Sequence, residues 1–284
     1  MKSIALGMAT AVACQWTVPA SSFAPTLARP VNPAKSSALA AIRNRGLEIS
    51  EEAAAPMPGG MILYVKAGPD GSSLGDCPFA HFVRIVLHEK GLDYEIRPST
   101  EDTKPQWLID YYDGSMPALR HRKECYVDSN VIAEYLDFFF QEPRMADKKR
   151  LSAEAAEATD GLFPAIAKYL KHTPDGDEKD DELKSSLIEA LRRLEGHLAA
   201  GDRSGPFFVG NGEIFTLIDA SLAPKLHHMQ VGVNEFKGGA VDIDDDFPKL
   251  RAYMDLVFAR KSFVDALYPE ETVTWGWSNA RKST

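Results

Sequence analysis

Residues 74–79 read Leu74-Gly75-Asp76-Cys77-Pro78-Phe79. Upstream, Met61-Ile62-Leu63-Tyr64-Val65-Lys66 is a short apolar run rich in β-formers and predicts a strand. Downstream, Phe79, Phe82, Val83, Val86 and Leu87 recur at helical spacing, and Gly91 is placed to stop that helix. Cys77 therefore sits where a strand has ended, a loop has turned and a helix begins. Pro78 suits the first helical position, where its missing N–H costs nothing. The cysteine sulfur then faces free N–H groups and the positive end of the helix dipole. Both favour thiolate over thiol, and cysteines so placed have pKa values of roughly 3.5 to 7.5. Ala80 stands where a resolving cysteine would stand, so internal disulfide cycling is closed to this site. A one-cysteine redox site has to be regenerated by an external thiol.

Working outward, Leu92 to Arg97 reads as a second strand and Lys104 to Tyr112 as a short helix ending near Gly114. Met116 to Leu119 and Glu124 to Val127 read as two more strands, joined by the polar turn His121-Arg122-Lys123. Ser129 to Phe140 is helical, with Asp128 or Ser129 as its cap. After Pro143 the pattern is helical only. Ser152 to His172 reads as one helix. Glu182 to Ala200 is another, with Leu183, Leu187, Leu191, Leu194 and Leu198 on one stripe. An acidic loop, His172 to Asp181, joins them. Thr216-Leu217-Ile218-Asp219 fits a capping box at the start of a further helix, and Phe247 to Arg260 is helical again. There is no internal repeat and no transmembrane span in this reading. The pattern is an α/β domain followed by an all-α domain, over residues 60–142 and 150–284, behind a leader at residues 1–55.

The 284 residues are 44% hydrophobic and 26% charged, which excludes wholesale disorder. The net charge of -9 argues against a general nucleic-acid binder. Three cysteines are too few for a disulfide scaffold or a four-cysteine metal site. Residues 1–47 hold five basic residues and no acidic one; without them 27 basic and 41 acidic residues remain. Lys2, then the apolar run Ile4 to Val18, then small residues at Ala20, Ser21 and Ser22 read as a secretory signal. An acid-free stretch rich in Arg, Ser and Ala follows, as in transit peptides. The junction Ala20-Ser21-Ser22-Phe23-Ala24-Pro25 resembles the bipartite plastid signals of algae with secondary plastids, which implies the plastid stroma as destination. Cys14 would leave with the leader, so Cys77 and Cys125 are the cysteines of the mature chain.

Leu74 to Phe79, together with Lys104-Pro105-Gln106-Trp107, Met116-Pro117, Asp128-Ser129, Leu222-Ala223-Pro224-Lys225-Leu226 and His228, resembles glutathione-dependent dehydroascorbate reductase. That family lies within the glutathione transferases, near the omega class and the chloride intracellular channel proteins. The resemblance spans about Met61 to Trp277. It implies a thioredoxin-like domain followed by a glutathione-transferase-type helical domain. It implies reduction of dehydroascorbate to ascorbate, with glutathione as co-substrate and no bound cofactor, and a monomer without stable membrane association.

The resemblance also assigns residues. Cys77 is the nucleophile. Pro117 is the cis-proline that turns the Met116 backbone toward the cysteinyl unit of glutathione. Asp128 and Ser129 hold the γ-glutamyl end, and Lys104 neutralises the glycyl end. Lys66, Asp76, His228 and Trp277 surround dehydroascorbate. His227 and His228 are consecutive on a helix, so one of them faces the pocket, and His228 is the matched one. Cys125 reads as buried and inert, and His81 and His88 as surface or packing residues; no metal site is expected. The sequence departs from the family at Met116, where Val is usual, and at Ala80 and His81, where Ser and Gln are usual. Ala80 is also the omega-class residue, so the alternative reading is an omega-like transferase acting on mixed disulfides.

Overall fold

The computed structural model describes residues 60–122, 124–146, 151–176, 178–200 and 203–282. The leader read at residues 1–55 lies outside them. Strand β1 (Met61–Lys66) is the spine of a four-stranded sheet of order β2-β1-β3-β4. It pairs in parallel with β2 (Glu95–Ser99) and antiparallel with β3 (Ala118–His121), and β3 pairs antiparallel with β4 (Glu124–Val127). Successive β1 side chains alternate between two cores. Met61, Leu63 and Val65 face the main core. Ile62 and Tyr64 face a smaller one with Leu108, Ala118 and Trp107.

Helix α1 (Pro78–Glu89) links β1 to β2, α2 (Gln106–Tyr112) links β2 to β3, and α3 (Ser129–Phe139) follows β4. The second strand begins at Glu95, three residues later than the sequence suggested. The chain there is still closing α1: Gly91 has φ +60°, and Leu92 N–H returns to the Leu87 carbonyl. The third strand begins at Ala118, after a cis Met116-Pro117 bond.

The helical part comprises α4 (Leu151–Thr159), α5 (Leu162–Lys171), α6 (Lys179–Ala199), α7 (Leu217–Lys237), α8 (Ile243–Asp246), α9 (Pro248–Phe258), α10 (Lys261–Ala266) and α11 (Glu270–Lys282). The single helix expected over Ser152 to His172 is two. Gly161 breaks it at φ +71°, a conformation open to glycine, and Pro164 falls in the first turn of the new helix. On α6, Leu187, Leu191 and Leu194 are buried, while Leu183 and Leu198 at the stripe's ends are half-buried. Helix α7 is buried along most of its length, which marks it as the centre of the domain.

Asp219 does more than close the capping box. Its buried carboxylate accepts from Thr216 N–H (2.9 Å), Thr216 Oγ1 (2.7 Å), Phe208 N–H (2.8 Å) and the Tyr253 hydroxyl (3.0 Å). One side chain thus ties the start of α7 to the preceding loop and to α9. Asp219→Ala would leave buried donors without an acceptor, and we expect a loss of about 3–5 kcal/mol in urea unfolding.

The two parts are joined through α1. It packs on α7 and α10. Arg84 Nη1 donates to the Ala266 carbonyl at the end of α10 (2.5 Å), and Arg260 pairs with both oxygens of Glu89 (2.6 and 2.8 Å). At the end of α1, buried Lys90 donates to Asp137 (2.8 Å) and to the carbonyls of Phe140 (2.7 Å) and Pro143 (2.9 Å).

Candidate active site

Cys77 is the N-cap of α1, with Pro78 at the first helical position. The loop before it is held closed. Gly68 N–H donates to the Ser73 carbonyl (2.8 Å), Ala67 bridges Leu74, and Gly75 N–H returns to the Lys66 carbonyl (2.8 Å). Gly75 passes so near β1 that a Cβ there would lie 2.6 Å from the Lys66 oxygen. This return sets Asp76 and Cys77 beside the end of β1.

The N–H groups of Phe79 and Ala80 lower the pKa of the thiol, in the direction the helix-start reading required, although the sulfur makes no capping hydrogen bond. Burial opposes the preformed thiolate expected from that geometry. Desolvation pushes the Cys77 thiol up to about 11. The neighbouring Asp76 carboxylate adds to the rise, while those N–H groups and Lys66 oppose it. Desolvation is the largest of these influences, even though the residue as a whole is half-buried. We therefore expect the alkylation rate of Cys77 by iodoacetamide to climb about tenfold per pH unit from pH 7 to 10. A plateau near pH 7 would contradict the burial argument. Cys125, half-buried in β4, is pushed up to about 12 by burial, in line with an inert thiol.

Around Cys77 the side chains form one connected set. Lys66 Nζ donates to Asp76 Oδ1 (2.7 Å), and its ammonium stands 5.1 Å from the centre of the Trp275 ring. The Tyr268 hydroxyl donates to the Asp76 carbonyl (3.2 Å) and lies 2.7 Å from His228 Nε2. His228 packs edge-on against Trp277 (6.0 Å), and Phe163 bridges from Trp277 (6.5 Å) to Phe79 (5.3 Å). Lys66, Asp76, Cys77, His228 and Trp277, five residues from distant parts of the sequence, are thus brought together. His228 and Trp277 are both almost fully buried. Burial pushes His228 down to about 3 and His227 down to about 4, so both are neutral at physiological pH.

The other five assigned residues share the same end of the sheet, and the register shows why. Lys66 pairs with Ser99, so the loop after β2, with Lys104, leaves beside the end of β1. Tyr64 pairs with Ala118, which puts Met116-Pro117 at that end, and Ala118 pairs with Val127, which brings Asp128 and Ser129 there. Asp128 adopts φ +73°, rare for a residue with a side chain, and its Oδ1 accepts from Asn130 N–H (2.8 Å) and Val131 N–H (3.3 Å). Lys104 departs from the picture of a cation awaiting an anion. Its ammonium is paired with Glu101 at 2.8 and 3.0 Å.

Three site residues escaped the sequence reading. Tyr268 belongs to no motif. Trp275 and Gly276 were visible beside Trp277, but nothing in the sequence says that α11 presses onto Asp76. A Cβ at Gly276 would fall 1.6 Å from Asp76 Oδ2. His81, for which the sequence leaves a surface or a packing role open, is a packing residue, buried between Phe263 (ring centres 4.8 Å apart) and Tyr268 (5.2 Å).

Known proteins share this fold. Residues 76–137 match the glutathione S-transferase N-terminal domain and residues 152–256 the glutathione S-transferase C-terminal domain. The Arabidopsis thaliana protein Glutathione S-transferase DHAR2 is 34% identical over 207 residues, covering 72% of this chain and 91% of that protein. The chain belongs to the glutathione S-transferase family. A second family member, Glutathione S-transferase DHAR3, chloroplastic, from Arabidopsis thaliana, is 30% identical over 72% of this chain and 74% of its own length. The crystal structure of Chlamydomonas reinhardtii dehydroascorbate reductase superposes with a TM-score of 0.65 at 29% identity, covering 77% of this chain and 97% of that one. A thioredoxin-like sheet carrying the cysteine, followed by a helical domain that closes on it, is the architecture that the family leads one to expect.

Proposed function

We propose that the protein reduces dehydroascorbate to ascorbate, with glutathione as electron donor and Cys77 as the group that alternates between them. The observation that carries this reading is the single cysteine at the start of α1, set between the Lys66–Asp76 pair and the helical domain. The relatives named for dehydroascorbate reductase support the choice of substrate.

In this scheme the reactive form is the thiolate, which the helix N–H groups and the Lys66 ammonium favour. Cys77 then gives two electrons to dehydroascorbate. Ascorbate leaves with two protons, and the sulfur takes its oxygen from water as a sulfenic acid. One glutathione condenses with the sulfenic acid and releases water, forming a mixed disulfide. A second glutathione attacks the glutathione sulfur of that disulfide, releasing oxidised glutathione and the Cys77 thiolate. The balance is one dehydroascorbate and two glutathiones consumed, one ascorbate and one oxidised glutathione formed.

Glutathione would lie along the sheet end, between the Met116 backbone and the Asp128-Ser129 turn, with Lys104 exchanging Glu101 for the glycyl carboxylate. Dehydroascorbate would meet Lys66, Asp76, His228 and Trp277. We read residues 60–142 and 150–284 as the two domains of a monomer, and residues 1–55 as a presequence directing it to the plastid stroma. The chloroplastic relative supports that destination.

The test follows ascorbate by its ultraviolet absorbance while both substrates are varied. We expect glutathione-dependent turnover and parallel double-reciprocal lines, the mark of a ping-pong sequence. Turnover of a glutathione mixed disulfide without turnover of dehydroascorbate would replace this reading with that of an omega-like thioltransferase, which Ala80 would also fit.

A further inference from the structure

The buried hydrogen-bond path from His228 to the cysteine loop runs through Tyr268, a residue between α10 and α11 that no motif includes. Its hydroxyl lies 2.7 Å from His228 Nε2 and 3.2 Å from the Asp76 carbonyl oxygen. A carbonyl oxygen only accepts, so giving the single phenol proton to Asp76 is the assignment that satisfies both contacts. The phenol oxygen then accepts from His228, and Nε2 carries the imidazole hydrogen. Nδ1 is left as the bare nitrogen. It is buried and has no hydrogen-bond partner among the described residues. Buried acceptors are nearly always satisfied, so an empty one inside a reactive site asks for a donor that arrives with a ligand.

We propose that Tyr268 is a positioning residue for dehydroascorbate: it locks His228 in the Nε2–H tautomer, so that Nδ1 accepts a hydrogen bond from a substrate hydroxyl. The inference rests on the reductase reading above. Dehydroascorbate suits this acceptor, because it carries two hydroxyls on its side chain and gains more when its ring carbonyls hydrate. The phenol is itself held in place. Arg84 grips the Ala266 carbonyl two residues earlier, and the His81 ring packs against Tyr268. Arg84 and His81 both belong to the helix that Cys77 begins, so phenol, imidazole and sulfur share one frame.

The experiment uses the full chain at saturating glutathione. Tyr268→Phe should raise the KM for dehydroascorbate about tenfold, because a site built to accept a substrate hydroxyl loses its preset acceptor. The KM for glutathione and the alkylation rate of Cys77 should move less than about twofold. In a His228→Asn background, Tyr268→Phe should add nothing to the KM for dehydroascorbate. An unchanged KM overturns the proposal. So does an equal loss in both backgrounds, or a loss that appears in Cys77 alkylation instead, since the phenol would then serve only the Asp76 loop. A second measurement needs no variant: nitrogen-15 NMR of the intact protein should show His228 protonated at Nε2, and hydrogen at Nδ1 would overturn the proposal. Absence of dehydroascorbate turnover in the unmodified chain would instead remove the reductase reading on which the inference stands.

Discussion

Cys77→Ser should abolish glutathione-dependent ascorbate formation, with a loss of at least about 10³-fold down to the uncatalysed rate. The reason is one of kind rather than degree. The scheme needs an atom that can be oxidised, condense with a thiol and be released by a second thiol, and a serine oxygen does none of these at neutral pH. The substitution is small and Cys77 is half-buried at a helix start, so the fold should survive it. Serine is moreover a favoured N-cap. Cys125→Ser serves as the control. That thiol lies in β4 and is held protonated by burial, so its loss should leave turnover within about twofold. Substantial activity in Cys77→Ser would sink the mechanism.

Gly276→Ala should damage both stability and activity. The added carbon would stand 1.6 Å from Asp76 Oδ2 and 2.1 Å from its Cγ, so either the carboxylate or helix α11 must move. Asp76 is almost fully buried and fastened to Lys66, and its own carbonyl receives the Tyr268 hydroxyl. Movement of the carboxylate breaks the Lys66 pair. Movement of α11 carries away Trp275 and Trp277, which pack on Lys66 and His228. Overpacking of this kind costs about 1–3 kcal/mol, and displacing reactive groups by about 1 Å costs about 10²-fold in rate. We expect a lower melting temperature together with a fall of about 10²-fold in kcat/KM for dehydroascorbate. A variant as active and as stable as the parent would show that the contact between α11 and Asp76 does not organise the site.

These two positions also show what could be read from the sequence and what could not. Cys77 was legible because its chemistry is local. A strand, a turn, a Cys-Pro pair and a helix lie within about twenty residues, and periodicity reports each of them. The apolar, β-forming run Met61 to Lys66 marks β1, and Asp128-Ser129 and the Thr216-to-Asp219 box mark two helix starts. The break at Gly161 was visible in principle, since glycine followed closely by Pro164 is a boundary signal, but the surrounding alanines and leucines hid it. Gly276 and Tyr268 carry no such local signal. Their roles come from where α11 and the end of α10 land, almost 200 residues downstream of the cysteine. The rise in the Cys77 pKa is illegible for the same reason. The helix start can be read from six residues, whereas desolvation of the sulfur depends on what packs around it in three dimensions.

The edge strand β2 has a consequence for how the molecule behaves in crowded surroundings. An open sheet offers its outer row of amides to any extended segment that drifts past, and such additions are the first step of many insoluble assemblies. Pro98 lies within β2 and withdraws one of those amides, and Glu95 and Arg97 place opposite charges on the same short strand. The far edge, β4, is four residues long and begins with Glu124. On the proposed scheme Cys77 passes through oxidised forms, and such a catalyst works where other chains are being damaged and exposed. A sheet that refuses foreign strands at both ends suits such a setting.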